Sequence, residues 1–192
     1  IAYGGDHVLM NVSIEEQDNI LKEYGLTKND YSLGICRIEP ENNVHTILEA
    51  YDKCQDKRLV FIGNWQKSEY GRNLLEKYKD SHNIKLMSAV YDLKKLYALR
   101  NNCSLYLHGH SAGGTNPSLV EAMFFAKPII AFDCVYNRES TENKAIYFNS
   151  ASDLSYKLDN VPESIGQDML RIARLRYSWA FIVSQYESVY NY

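Results

Sequence analysis

The sequence has few of the features that mark several large classes of protein. Its 192 residues contain only four cysteines, and none of them form a C-x-x-C pair. These spacings disfavour a structural zinc site and favour reduced thiols in a reducing compartment. No run approaches 18 consecutive apolar residues and no signal peptide is recognisable, so we expect neither a transmembrane helix nor a secretory leader.

Excess positive charge is also missing. Lysine and arginine number 21 against 24 acidic residues, which gives a formal net charge of −3 at pH 7. A broad nucleic-acid-binding surface needs a surplus of positive charge, so the composition disfavours that class and leaves room only for a local basic pocket. The overall composition, with 45% hydrophobic and 23% charged residues, is ordinary for a globular protein, and a chain of this length can bury a core.

Short apolar runs alternate with amphipathic segments along the chain. The apolar runs predict six strands, at 31–36, 58–63, 84–90, 103–108, 127–133 and 145–148. The amphipathic segments predict helices at 42–54, 70–80, 92–102 and 117–126, and a mostly helical end at about 163–190. This alternation favours an α/β fold, a Rossmann-like doubly wound parallel sheet with helices on both faces.

Ligands of such sheets bind beyond the carboxyl ends of the strands, so the loops there are the places to expect a site. One of these loops contains GHSAG (109–113), which fits the G-x-S-x-G elbow of a serine hydrolase. However, Asn116 and Pro117 are a favourable N-cap and first helical residue, which places Ser111 about five residues before the helix. All five histidines also precede Ser111, whereas the hydrolase base follows its serine. The hydrolase hypothesis is therefore disfavoured.

The same loop lacks the lysine of a P-loop, because Thr115 and Asn116 stand where Lys-Ser/Thr is required. What remains is a loop with Gly109, Gly113 and Gly114 before a capped helix. Backbone N–H groups and a helix end in such a place can bind a phosphate or diphosphate. A left-handed turn that merely connects strand to helix would use the same glycines.

Two charged side chains favour the anion hypothesis. Arg37 follows the first strand at the same sheet edge, and arginine can bind a phosphate through two hydrogen bonds. Glu121 lies one turn into the following helix, where its carboxylate could accept hydrogen bonds from two ribose hydroxyls. Both also have ordinary explanations, Arg37 as an ion-pair partner of Glu39 or Glu41 and Glu121 as a first-turn or capping-box glutamate.

Four ordered stretches of this sequence resemble a known family. They are CRIEPENNVHTILEAY, LVFIGNW, HGHSAGGTNPSLVEAMFFAKPIIAFD and YSWAFIVSQYESVY. They look like the C-terminal, donor-binding domain of retaining glycosyltransferases of two-domain GT-B architecture, especially bacterial rhamnosyltransferases of surface polysaccharide synthesis. The resemblance implies three parts: a remnant of the N-terminal domain with the interdomain link at 1–30, a nucleotide-sugar-binding domain at 31–162, and a C-terminal helical segment at 163–192.

The resemblance also assigns roles to residues. Arg37 matches the arginine that contacts the donor diphosphate and Glu121 the glutamate that binds the ribose, and these two are the expected catalytic residues. The other expected donor-binding residues are Asn42, Gly63, Asn64, Ser88, Ala89, Val90, His110, Gly113, Gly114, Thr115 and Asn116. Among them, the loop from Gly113 faces the diphosphate and sugar, and the backbone of Ser88 to Val90 meets the base.

Two positions depart from the family pattern. Asn42 stands where a lysine usually neutralises phosphate, and Gly113 stands where a glutamate usually helps to place the sugar. His110 or Asn116 could replace part of that role, although His108 and His110 have an ordinary explanation as loop hydrogen-bonders. The departures keep open a second hypothesis, a non-catalytic nucleotide-binding module on the same fold.

The implied reaction displaces a nucleoside diphosphate from the anomeric carbon with retention, with dTDP-rhamnose as one candidate donor. No cofactor and no metal are expected, because Arg37, backbone N–H groups and a helix end would stabilise the leaving diphosphate. The partner is a glycan or lipid-linked glycan acceptor, held mainly by an N-terminal domain of which IAYGGDHV (1–8) would be the last strand. We expect a cytoplasmic protein, peripheral to the inner membrane if the acceptor is lipid-linked, and a fragment that binds nucleotide without turnover.

Overall fold

Six parallel strands form one sheet in a computed structural model that describes residues 1–190. They are β1 (Ser32–Ile35), β2 (Leu59–Ile62), β3 (Ile84–Met87), β4 (Leu105–His108), β5 (Ile129–Phe132) and β6 (Ile146–Phe148). Their order in the sheet is β3-β2-β1-β4-β5-β6, and every neighbouring pair is parallel. The chain first builds outward from β1 to β3 and then continues on the other side of β1 with β4. The switch point of the sheet therefore lies between β1 and β4, and open parallel sheets bind their ligands beyond the carboxyl ends of the strands at such a point.

Helices cover both faces of this sheet. They are α1 (Ile14–Glu23), α2 (Val44–Lys53), α3 (Glu69–Tyr78), α4 (Leu93–Asn101), α5 (Pro117–Met123), α6 (Val135–Ser140), α7 (Ala151–Leu158), α8 (Ser164–Arg176) and α9 (Trp179–Tyr190). Two short 3-10 helices lie at Asp6–Val8 and Pro40–Asn42. The Rossmann-like α/β fold predicted from the alternating pattern is confirmed.

Side-chain alternation along the strands explains why both faces are covered. In β2, Val60 and Ile62 belong to one apolar cluster, while Leu59 and Phe61 belong to the other, and all four are almost completely buried. Successive side chains of a strand point to opposite faces, so a strand without polar positions needs a covering layer on each side. The continuous run LVFI therefore specifies a central strand of a three-layer domain.

Short polar side chains that the sequence predicts as helix caps, Asp92 and Asn116, occupy the N-cap positions of α4 and α5. Asp92 caps α4 by accepting hydrogen bonds from the backbone N–H groups of Lys94 and Lys95. Asn116 caps α5 by accepting from the N–H of Ser118, and Pro117 is the first helical residue. These short polar side chains satisfy N–H groups that have no partner within the helix.

The structure adds three helices to the predicted pattern and corrects one strand. Helices α1, α6 and α7 were not predicted; α6 has only six residues and buries no apolar side chain, whereas α1 buries Ile20 and Leu21 and α7 buries three apolar residues. The expected strand at 1–8 does not form, and Asp6–Val8 is a 3-10 helix. Three apolar residues before two adjacent glycines and one after them do not make a strand pattern long enough to pair.

The two ends of the described chain pack against each other and against the sheet domain. Gly5 donates a backbone hydrogen bond to the carbonyl of Tyr177 at 2.7 Å, and Asp6 accepts one from the N–H of Trp179 at 2.8 Å. Trp179, Ile182, Tyr186 and Val189 lie at helical spacing on α9, which the sequence predicts as one apolar stripe, but only Ile182 is buried and the other three remain exposed. The division of the chain at 30 and 162 stays a prediction, and residues 191 and 192 lie outside the described part.

We expect Asn83 to be essential for the amino edge of the sheet. Its buried side-chain amide donates to the carbonyls of Tyr51, Cys54 and Lys57, at 2.8, 3.1 and 3.0 Å. Asn83→Ala leaves these carbonyls short of donors and should lower the free energy of unfolding by about 2–3 kcal/mol. Urea denaturation measures the loss, and Asn73→Ala on the exposed face of α3 is the control, expected to change stability by less than about 0.5 kcal/mol.

Candidate functional site

The loops that follow β1 and β4 meet at the switch point of the sheet. Both the backbone N–H and the hydroxyl of Ser111 donate to the carbonyl of Glu41, each at 2.9 Å. The side-chain amide of Asn43 donates to the carbonyl of Gly109 at 2.8 Å. The two loops, 36–43 and 109–116, are thereby held as one unit, which we call the switch-point loops.

The glycines of these loops are needed for two different physical reasons. A Cβ on Gly109 would clash with the backbone carbonyl oxygen of Asn42, so glycine allows the two loops to approach. Gly113 and Gly114 have open space around them, but their φ angles are +58° and +51°, in the left-handed region. Residues other than glycine are strained there, so these two positions shape the turn before α5.

Asn42 connects Arg37 to His110 from a buried position. Its Nδ2 donates to the carbonyl of Arg37 at 2.7 Å, and its Oδ1 lies 2.7 Å from Nδ1 of His110. The carbonyl of His110 in turn accepts a hydrogen bond from the side chain of Asn137 at 2.8 Å. Asn42 is only 3% exposed, so it acts as a structural connector, not as a surface group that meets a phosphate directly.

His108 lies at the end of β4 and is an uncharged core residue. Burial, reinforced by the nearby His110, lowers the pKa of His108 to about 3. Its Nε2 has no hydrogen-bond partner within residues 1–190. The rings of His108 and His110 have centroids 6.2 Å apart, so a neutral imidazole lies behind the more exposed one.

Arg37 is exposed at the tip of the loop after β1. It forms no ion pair with any residue in the described chain, so the alternative explanation through Glu39 or Glu41 is not supported. Its neighbours in sequence are tied down, because its own carbonyl is bonded to Asn42 and Ile38 is buried. The guanidinium is therefore a positive charge on an anchored backbone, available to a ligand.

Thr115 and Asn116, the two residues before α5, have side chains that are less available to an anion than the backbone of the loop. The side chain of Asn116 is used within the helix start, where Oδ1 accepts from the N–H of Ser118 at 3.0 Å and from its hydroxyl at 2.8 Å. Helix α5 spans only seven residues. Thr115 is half-buried beside the two left-handed glycines. The backbone of 109–115 is consequently a better candidate for contacting an anion than the helix end itself.

Glu121 makes ionic contacts that the sequence did not predict. Its Oε2 pairs with Nη2 of Arg100 on α4, and its Oε1 lies 3.5 Å from Nε2 of His7. The alternative explanation of Glu121 as the capping-box partner of Ser118 is not supported, because the Ser118 hydroxyl donates to Asn116. Arg100 is buried and Glu121 largely so, which makes this an ion pair shielded from water.

His7 joins Glu121 to the last helix. The indole N–H of Trp179 donates to Nδ1 of His7 at 3.1 Å, so the proton of a neutral His7 ring is on Nε2, which faces Glu121. A small cavity of about 110 Å³ lies beside this chain of contacts. Its lining combines the three charged or polar groups with apolar side chains of the N-terminal segment and α4: His7, Val8, Met10, Leu93, Leu96, Arg100 and Glu121.

A second cavity, of about 270 Å³, lies at the carboxyl ends of β2 and β3. It brings together four residues that sequence analysis had assigned to the donor: Gly63, Asn64, Ser88 and Ala89. The fifth, Val90, packs its side chain against the core. The carbonyl of Met87 above this cavity already accepts from the N–H of Gly63 and the indole of Trp65, at 3.1 and 2.9 Å.

Tyr91 is a cavity residue that sequence analysis missed. It lines the second cavity and is 82% exposed. An aromatic residue directly after a predicted binding loop was the available signal. The ring offers a flat apolar surface next to the backbone of Ser88 and Ala89.

The predicted site residues thus fall into three places. Arg37, Asn42, His110 and the stretch from Gly113 to Asn116 lie in the switch-point loops. Gly63, Asn64, Ser88 and Ala89 line the cavity after β2 and β3, and Glu121 faces α4 and His7.

Within residues 1–190 there is no cluster of three His, Cys, Asp or Glu side chains able to hold a metal ion. None of the described helices is long and apolar enough to cross a membrane.

Two glycine substitutions should distinguish the effect of close contact between the two loops from the effect of left-handed backbone strain on stability. Gly109→Ala should lower the free energy of unfolding by about 2–3 kcal/mol, because the methyl group meets a buried carbonyl that has little room to move. Gly113→Ala should cost about 1–2 kcal/mol, from left-handed strain alone. Urea denaturation compares them, and a smaller loss for Gly109→Ala would contradict the close contact of the two loops.

We also expect the Glu121–Arg100 pair to matter for stability. Glu121→Ala leaves Arg100 buried without its counter-charge and should lower the free energy of unfolding by about 3–5 kcal/mol. The double variant Arg100→Met/Glu121→Leu removes both charges and should recover most of that loss. Equal instability of the single and double variants in urea would show that the ion pair is not the cause.

Several solved structures share this fold. Anabaena Alr3699/HepE in complex with UDP matches with a TM-score of 0.83 and 15% identity, over 99% of this chain and 56% of that chain. Sucrose-phosphate synthase from Thermosynechococcus elongatus matches with a TM-score of 0.77 and 14% identity, over 99% and 51%. The C-terminal domain of the glycosyl transferase group 1 protein LpcC from Francisella tularensis matches with a TM-score of 0.68 and 19% identity, over 86% and 94%.

These likenesses confirm the expected Rossmann-like α/β fold. The chain spans about half the length of the Anabaena and Thermosynechococcus proteins. No curated protein matches the chain. The family model of glycosyl transferases group 1 matches residues 16–163, which is most of the sequence. This chain therefore belongs to the group 1 glycosyl transferase family.

Proposed function

We propose that the chain is the donor-binding domain of a glycosyltransferase and that it binds a nucleotide-sugar at the carboxyl edge of its sheet. The observation that carries the proposal is Arg37, an exposed guanidinium without an ion-pair partner in the described chain, beside the glycine turn at the switch point. A diphosphate there would meet a bidentate cation and the backbone N–H groups of the turn. Family membership supports the same function.

The nucleoside would extend from the diphosphate toward β2 and β3. The cavity there contains Gly63, Asn64, Ser88 and Ala89, and Tyr91 offers an aromatic face beside it. Its volume of about 270 Å³ suits one flat heterocycle better than a complete nucleotide. UDP and UDP-glucose are bound by the Anabaena protein, which supports a nucleotide ligand for this fold.

Glu121 is our proposed ribose ligand, through only one of its two carboxylate oxygens. Oε2 is committed to the buried Arg100, whereas Oε1 has only the looser contact of 3.5 Å with His7. A ribose hydroxyl would therefore compete with His7 for Oε1. Arg100 would hold the carboxylate ionised and oriented while it accepts that hydrogen bond.

The chemistry that we propose is retaining transfer, with the nucleoside diphosphate leaving the anomeric carbon. Arg37 and the backbone of the switch-point loops stabilise the negative charge that develops on the leaving diphosphate. The leaving phosphate accepts the proton of the incoming hydroxyl, so no protein base and no metal are invoked. A rhamnosyl donor, and a glycan acceptor of a bacterial surface polysaccharide, rest on the resemblance of the four sequence stretches.

The acceptor site and the location of the protein remain predictions. The Francisella structure that this chain nearly covers is a C-terminal domain, which supports the same placement here. The acceptor would then contact mainly a domain outside this chain. A cytoplasmic location, with contact to the inner membrane for a lipid-linked acceptor, is proposed on the same grounds.

A non-catalytic nucleotide-binding module is the second candidate. The observation in its favour is Asn42, which is buried and bonded to Arg37 and His110, so that the switch-point loops offer one permanent cation, Arg37. With one cation the site would still bind a nucleotide, but it would stabilise the negative charge on a leaving diphosphate less well. Donor hydrolysis or transfer by the full-length protein distinguishes the two candidates.

Calorimetric titration with a nucleotide-sugar panel tests the proposal. The panel contains dTDP-rhamnose, UDP-glucose, UDP-N-acetylglucosamine and GDP-mannose. We expect one nucleotide class to bind, and Arg37→Ala to weaken its affinity roughly tenfold to a hundredfold, the range of a lost charged hydrogen bond. Because Arg37 is exposed, thermal stability should not change.

The matched control is Arg174→Ala, which removes another exposed arginine, on α8 and outside the switch-point loops. It should leave the affinity unchanged. Failure of every nucleotide to bind at millimolar concentration would contradict the proposal for this chain. Equal weakening by both variants would mean a non-specific effect of net charge.

A further inference from the structure

The switch-point loops contain one permanent cation for a ligand that carries two negative charges. Within 36–43 and 109–116 the only Lys or Arg is Arg37. Asn42 is neutral and buried. The one other side chain of these loops that can become positive is His110, which is only half-buried.

Asn42 determines which ring nitrogen of His110 carries a proton. Because Nδ2 of Asn42 donates to the carbonyl of Arg37, its amide is oriented with Oδ1 toward His110. An amide oxygen can only accept, so Nδ1 of His110 must be protonated to make the 2.7 Å contact. The second nitrogen, Nε2, is then the one left for a ligand, and a proton there gives the ring its positive charge.

We propose that His110 takes up a proton when the donor diphosphate binds, and that Asn42 is the positioning residue that fixes the ring for this role. The proposal rests on the proposed function, since it concerns the same diphosphate. A bound diphosphate would place negative charge beside the ring and stabilise the imidazolium, as opposite charge does for any histidine.

Among the titratable groups near the switch-point loops, His110 is the one that we expect to change protonation when the diphosphate binds. His108 is kept neutral by burial, which lowers its pKa to about 3, and burial raises the pKa of the Cys36 thiol to about 12. On the side of β5, Asp133 and Arg138 neutralise each other through two hydrogen bonds of 2.6 and 2.8 Å. The remaining titratable or charged groups on the adjoining loops are Arg37, Glu39, Glu41 and Cys134.

The direction of the pH dependence follows from linkage. Binding that raises the proton affinity of His110 is strongest at acidic pH, where the ring is already protonated. The advantage is lost as the pH rises through the titration of the bound state. Affinity should therefore fall roughly tenfold between about pH 6 and about pH 8, which by linkage corresponds to about half a proton taken up on average over that range.

Calorimetry in two buffers of different ionisation enthalpy counts these protons. The probe is the nucleotide-sugar found in the panel, because its phosphates are both esterified and do not titrate near neutral pH. Protons taken up then belong to the protein. The matched variants are His110→Gln and, as control, His82→Gln, which removes a histidine from the opposite edge of the sheet, before β3.

We expect His110→Gln to abolish the uptake and to bind about tenfold more weakly than the unmodified chain at pH 6 but similarly at pH 8. His82→Gln should behave like the unmodified chain. Asn42→Asp keeps the acceptor and adds a negative charge, so the ring should be protonated before binding and the uptake near neutrality should fall. A merely structural role of Asn42 would change affinity without changing the proton count.

Tight binding with no proton uptake in the unmodified chain would overturn this inference and leave the proposed function standing. Unchanged uptake in His110→Gln would overturn it as well. Absence of binding at every pH would overturn the proposed function and this inference together. A count of zero in the unmodified chain needs no variant, so it overturns the inference even if a substitution impairs folding.

Discussion

The contact between the loops after β1 and β4 is the constraint on which the site depends. Both strands are central and parallel, so their carboxyl ends lie side by side and their loops must share one space. Gly109 permits the approach by having no side chain where the carbonyl of Asn42 lies, and Ser111 and Asn43 complete the connection by hydrogen bonds. Arg37, His110 and the left-handed glycines lie in one arrangement because these hydrogen bonds connect the two loops.

A second constraint is the buried pair of Arg100 and Glu121. It connects the helix after β3 to the helix after β4, and through His7 it reaches Trp179 at the start of the last helix. Glu121 therefore has a structural duty besides any contact with a ribose. Loss of binding after its removal does not by itself identify a ligand contact, because an uncompensated buried charge also destabilises the fold.

Much of the fold and part of the site could be predicted from local pattern. Continuous apolar runs such as LVFI predict buried strands, and Asp92 and Asn116 predict helix starts. These features can be recognised because strand patterns and helix caps depend on residues only a few positions apart. Helix α6 buries no apolar side chain, so it has no amphipathic pattern to recognise. Among site residues, Gly63, Asn64, Ser88 and Ala89 were predicted together and line one cavity, whereas Tyr91 beside them was overlooked.

The sequence by itself determined the parallel α/β fold, the loops at its carboxyl edge and the membership of a glycosyltransferase family. It could do so because strand burial, helix caps and motif spacing are properties of neighbouring residues. Only the tertiary structure decided that Glu121 meets Arg100 and His7, and that Asn42 orients His110. Those partners are separated by 21, 114 and 68 positions. No local pattern encodes such contacts, because they arise where the sheet order brings distant loops and helices together.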